Sequence, residues 1–138
     1  MAEDPAREAW LLISDLVLDN QRRREVAEAL GIPFGRARAL RRLARRPMAM
    51  RELAAALEID PANATVVVDE LESMGLAQRR PHPTDRRAKV VEATRKGKAM
   101  ARRADAILGT PPPGLSALGG DDLETLRRIL ERATATDP

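Results

Sequence analysis

Cysteine is missing from all 138 residues, and that one absence removes disulfides, thiolate metal sites and thiol-based redox sensing together. Aromatics are almost missing too: Trp10 and Phe34 stand alone, so a core has to be aliphatic, built from Leu, Val, Ala, Ile and Met. No apolar run approaches the roughly 18 residues that a membrane-spanning helix needs. The segment Met1 to Pro5 holds two acids and no basic run, so no secretory leader or membrane partner is expected, and the chain reads as cytoplasmic. The residues of catalysis are also lacking. No Ser, Lys or carboxylate falls in a nucleophile or phosphate-loop motif, and the single His82 lies in a proline-bounded segment that offers no zinc-ligand set. His82 is read as a groove or phosphate contact, or simply exposed; no enzyme, metal or cofactor is expected.

What is present is a 43% hydrophobic, 33% charged chain of a length that suits one domain, 1–138, folding unaided around one core. Its net charge of +3 conceals segregation. Residues 21–46 carry nine Arg against two Glu, and residues 76–103 carry ten Lys or Arg against Asp85 and Glu92. Between them, residues 47–75 hold one Arg and six acids. Two dense basic clusters on a nearly balanced chain point to a polyanion partner, because phosphate binding depends on local cation density; solvated helix faces would give the same count.

Hydrophobic spacing predicts mainly helices. Asp4 and Pro5 form a cap-then-proline start, after which Trp10, Ile13, Leu16 and Val17 keep a helical period; one helix is expected to run to Leu30 and stop at Gly31. Pro33 opens a second helix that Pro47 ends. Met50, Leu53, Ala54 and Leu57 place a short third helix, the turn Glu58–Ile59–Asp60 follows, and Pro61 to Met74 forms a fourth with Ala64, Val67, Val68 and Leu71 inward. Short helices joined by a three-residue turn make a helix-turn-helix. From Leu76 the helical period gives way to a two-stranded ribbon with its tip around Pro81, Pro83, Thr84 and Asp85 and its second arm at Ala88 to Ala93. Thr94 caps a further helix that ends at Gly109 and Pro111 to Pro113; a loop leads to a last helix with Asp121 and Asp122 at its positive end.

Helix-turn-helix, ribbon, helix is the winged-helix order, and four stretches extend the likeness: Arg51-Glu52-Leu53-Ala54; Asp69-Glu70-Leu71-Glu72 leading to Gly75-Leu76; Asp85-Arg86-Arg87 leading to Thr94 and Gly97; and Leu123 to Leu130. With these the chain resembles the multiple antibiotic resistance regulator (MarR) family over nearly its whole length, the wing pattern being the most specific part. The resemblance implies a mainly α fold, a winged helix-turn-helix at 47–93 with a two-stranded β-wing, and N- and C-terminal dimerisation helices within 5–46 and 95–134. It implies a DNA-binding transcription regulator, a repressor that binds a palindromic operator as a homodimer and is released by a small aromatic or acidic ligand.

Wing cations Arg79, Arg80, Arg86, Arg87 and Lys89 are the expected contacts to double-stranded DNA, with Asp85 pairing the Arg87 guanidinium or serving as an ordinary turn residue. The recognition helix departs from the family: it has no basic residue, and Val66 stands where many relatives carry arginine. Base reading then falls to Asn63, Thr65 and Val66, although Val66 equally suits a core position beside Val67 and Val68. Leu123, Leu126, Ile129 and Leu130 form the expected dimer stripe. Trp10 and Phe34 line the implied ligand pocket, with nearby arginines to hold a carboxylate. The alternative function is a protein-interaction module whose acidic recognition helix meets another protein without sequence-specific DNA binding.

Overall fold

The computed structural model describes residues 4–18 and 21–135. In chain order the elements are α1 (Pro5–Leu18), α2 (Arg22–Leu30), α3 (Phe34–Arg45), β1 (Met48–Ala49), α4 (Met50–Leu57), α5 (Pro61–Ser73), β2 (Ala77–Pro81), β3 (Lys89–Ala93), α6 (Arg95–Leu108), α7 (Pro113–Ser116) and α8 (Gly120–Thr134). They divide into two compact units, residues 21–109 and residues 1–20 with 110–138.

The unit 21–109 contains the winged helix. Its helix boundaries follow from local chemistry. The Asp60 carboxylate accepts the Asn63 N–H at 2.8 Å, and Pro61 supplies a pre-set φ, so α5 starts there. Thr94 does the same for α6, accepting the Gly97 N–H at 3.1 Å while its hydroxyl donates to Gly75 O at 2.6 Å. Gly31 closes α2 in the left-handed region, φ 71°. Arg46 is extended because Pro47 follows it, which ends α3.

Packing then uses the apolar stripes. Leu40 and Leu43 of α3, Leu53 of α4, Val68 and Leu71 of α5, Leu76, and Val91 of β3 form one fully buried aliphatic cluster. Burying each such leucine is worth about 1.5–3 kcal/mol. A second cluster joins Val26 and Leu30 of α2, Ile32, Ala37 of α3 and Ala104 of α6. No polar side chain is buried among the described residues.

Two local expectations need correction and a third is extended. The expected helix to Leu30 is two helices, α1 ending at Leu18 and α2 starting after the turn residue Gln21. Asp19 and Asn20, over which the expected helix also runs, lie outside the described residues. The two-stranded ribbon is present as β2 with β3, and β1 adds a third antiparallel strand in the order β1-β3-β2, with Met48 opposite Val91 and Arg79 also opposite Val91 from the other side. A two-residue strand has too short a period to be seen in sequence. The expected loop before the last helix contains the single turn α7.

The terminal unit is built of α1, α7 and α8, and none of these helices has a buried residue. On α1, Trp10, Leu12, Val17 and Leu18 are 58–79% exposed. On α8, Ile129 and Leu130 are exposed and Leu123 and Leu126 half-exposed. Among the described residues no helix is long and apolar enough to cross a membrane.

Candidate nucleic-acid interface

The outer face of α5 carries Asn63, Thr65, Val66, Asp69 and Glu70, all exposed, while Ala64, Val67, Val68 and Leu71 point into the core. Val66 is 48% exposed, which excludes the core position and leaves its methyl groups on the surface. The polar members of this face are already occupied. The Asn63 amide nitrogen donates to Asp60 Oδ2 at 3.1 Å, and the Thr65 hydroxyl donates to Pro61 O at 3.1 Å, back onto its own helix.

The acids of α5 are held as well. Arg79, the third residue of β2, places one guanidinium nitrogen 2.6 Å from Asp69 Oδ1 and another on Glu72, whose second oxygen accepts the Arg79 backbone N–H at 3.2 Å. Glu70 takes Arg36 Nε of α3 at 2.6 Å; that bond pushes the Arg36 guanidinium up and the Glu70 carboxyl below the usual carboxylate range. The net negative block seen in the sequence is thus compensated in space by arginines from the basic clusters.

These pairings divide the wing cations into two groups. Arg79 is tied to α5, and Arg80 reaches Glu92 across the strand pair at 2.5 Å. Arg86, Arg87 and Lys89 are exposed and have no ion pair among the described residues. Asp85 does not pair the Arg87 guanidinium. Its Oδ1 accepts the Arg87 backbone N–H at 2.9 Å, the turn geometry that a short carboxylate adopts two residues before its donor. His82, read from sequence as a DNA contact or exposed, is half-buried, and its Nδ1 accepts the backbone N–H groups of Thr84 and Asp85. Proline-rich surroundings hid that role, since Pro83 has no N–H and the two next donors need an acceptor.

Between the tip and the start of α4 lies an open cavity of about 680 Å³, bordered by Arg51, Glu52, His82, Asp85, Arg87 and Lys89. Glu52 is anchored there by Arg46 at 2.9 Å and by the Ala49 N–H; these bonds hold its carboxyl below the usual range. A second cavity of about 280 Å³, which sequence spacing does not reveal, has Val66, Asn63, Leu57, Arg36 and Arg38 in its wall. Phe34 borders a third, about 490 Å³, with Arg23, Arg38 and Arg41; the Arg23 guanidinium stacks 5.3 Å from the ring centre. Trp10 is 65% exposed. No group of His, Asp and Glu among the described residues is arranged to hold a metal ion.

The model of the MarR family matches residues 30–88, which include α3, the helix-turn-helix, β2 and the tip. Over this lobe the chain is similar to the MarR family. The MarR fold extends over the rest of the chain in solved structures. Apo wild-type MarR from E. coli is 20% identical with a TM-score of 0.73, covering 96% of this chain and 98% of that one. The transcriptional regulator BldR from Sulfolobus solfataricus is 24% identical with a TM-score of 0.64, over 94% and 99%. The S. aureus MepR–DNA complex is 18% identical with a TM-score of 0.59, over 93% and 94%. No curated protein matches the chain in sequence. At these identities the likeness establishes the mainly α winged-helix fold.

Proposed function

We propose that the protein is a cytoplasmic DNA-binding transcription regulator, a repressor that acts as a homodimer on a palindromic operator. The observation that carries the reading is the division of the wing cations: Arg86, Arg87 and Lys89 are left without ion pairs among the described residues on a thin projection, while the arginines nearer the core are neutralised by α5 and β3. Free cations on a narrow ribbon suit the phosphates bordering a minor groove. In this reading α5 lies in the major groove and reads shape and thymine methyl groups through Val66, with Asn63 and Thr65 contributing their free acceptor atoms. Arg79 and Arg80 join the interface by exchanging their carboxylate partners for phosphate.

Homodimerisation through the terminal parts, 5–46 and 95–134, is supported by three helices of the terminal unit that bury nothing by themselves. A two-fold dimer also presents two wings to a palindrome. For release by a small aromatic or acidic ligand, the support is the Phe34 cavity with its three arginines.

The alternative, a protein-interaction module working through an acidic recognition helix, loses its basis once Asp69, Glu70 and Glu72 are seen paired with Arg79 and Arg36. Titration of Arg87→Ala against specific and mixed-sequence duplexes at several salt concentrations tests the DNA reading. Affinity should fall for both, and the salt slope should flatten by roughly one unit per lost phosphate contact. A wild type that retains no duplex at low salt would refute the reading.

A further inference from the structure

We propose that His82 is the positioning residue of the wing tip: through Nδ1 its imidazole folds residues 82–88 into the shape that presents Arg86 and Arg87. The role in binding rests on the DNA reading above. The tip geometry stands independently of it.

The tip is a seven-residue connection between Pro81 and Lys89, the last ladder pair of β2 and β3. His82 Nδ1 lies 3.1 Å from the Thr84 backbone nitrogen and 3.0 Å from that of Asp85, with the Thr84 hydroxyl at 3.3 Å. A ring nitrogen that accepts from N–H groups carries a lone pair, so in the neutral ring the proton resides on Nε2. The remaining bonds build outward from this centre. His82 N–H donates to Ala88 O, Ala88 N–H donates to Asp85 O, and Asp85 Oδ1 accepts the Arg87 N–H at 2.9 Å. Asp85 is therefore fixed from two sides, by His82 through its N–H and by Arg87 through its carboxylate. Loss of the Nδ1 acceptor frees Thr84 and Asp85, and with Asp85 the turn that directs Arg86 and Arg87.

Two variants of the full chain make the test. His82→Asn places a carbonyl oxygen where Nδ1 stands; His82→Phe keeps an aromatic ring without the acceptor. At about pH 8 the Asn variant should bind a mixed-sequence duplex as wild type does, and the Phe variant roughly tenfold more weakly, the equivalent of two net hydrogen bonds. Nitrogen-15 NMR of the free protein at that pH should show an unprotonated Nδ1, and amide exchange of Thr84 and Asp85 should be faster in the Phe variant. A protonated Nδ1, or a Phe variant with unchanged binding and unchanged exchange, overturns the proposal. A wild type that binds no duplex at all overturns the DNA reading and the role in binding, while the NMR result decides the tip geometry by itself.

Discussion

Asp85 shows how a single side chain is misassigned when its neighbours are known by order and not by direction. Two residues before Arg87, the carboxylate suits a guanidinium partner, yet in the fold it takes the backbone N–H of Arg87. The distinction reverses an expectation. If Asp85 held the guanidinium, Asp85→Asn would weaken DNA binding; an acceptor for a backbone N–H is retained by Asn, and removal of a negative charge beside phosphates helps. Asp85→Asn should therefore bind duplex DNA as tightly as wild type or up to several-fold tighter at low salt. Weaker binding of this variant in a fluorescence titration would restore the guanidinium pair. Val66 shows the complementary limit: three consecutive valines on a helix cannot all face inward at 3.6 residues per turn, but which one turns out follows from where α3 and α4 lie.

At the scale of elements, close approach and ion pairs hold the recognition helix in its place. Gly97 sits where α6 passes Leu76, and a Cβ there would run into the Leu76 carbonyl oxygen and crowd Leu40. Backbone cannot yield as a flexible side chain can. Gly97→Ala should cost about 1–3 kcal/mol or more, read as a lowered midpoint in urea unfolding; an unchanged midpoint would mean that α6 shifts freely. The Arg36–Glu70 pair ties α3 to α5, and it gives stability a pH dependence of known sign. The Glu70 carboxyl is depressed below its ordinary 4.5 in the folded chain. Its contribution is fully present above the unfolded value and is lost as pH falls through the folded one. Thermal unfolding followed from neutral pH to about pH 3 should show wild type losing more stability than Glu70→Gln, by a modest margin because the pair is solvent-exposed. Parallel curves would remove the pair from the account.

For the whole molecule the terminal unit is decisive. Helices α1 and α8 each carry an apolar stripe, and neither buries a residue, so a lone chain leaves leucine, isoleucine and tryptophan side chains in water. A second copy is the proposed cover. Placing Asp at Leu126 and Ile129 together should convert a dimer to a monomer in sedimentation velocity at micromolar concentration. A wild type that sediments as a monomer, or a double variant that stays dimeric, would remove the α8 stripe from the interface.

The succession helix-turn-helix, ribbon, helix, the helix caps at Asp60 and Thr94, the left-handed stops at Gly31 and Gly75 and the inward face of α5 were all decided by the sequence, because each depends on residues within one or two turns of each other. The MarR likeness was legible for the same reason, its motifs being local. What only the tertiary structure decided are the long-range partners. Arg79 meets Asp69 and Glu72, Arg36 meets Glu70, and β1 joins β3, in each case across elements that the chain brings together by burying leucines elsewhere. Which wing cations remain free, and that His82 faces inward as an acceptor, follow from those partners. Charge and polarity are properties of residues, but pairing is a property of distance, and distance here is set by the packing of the aliphatic core.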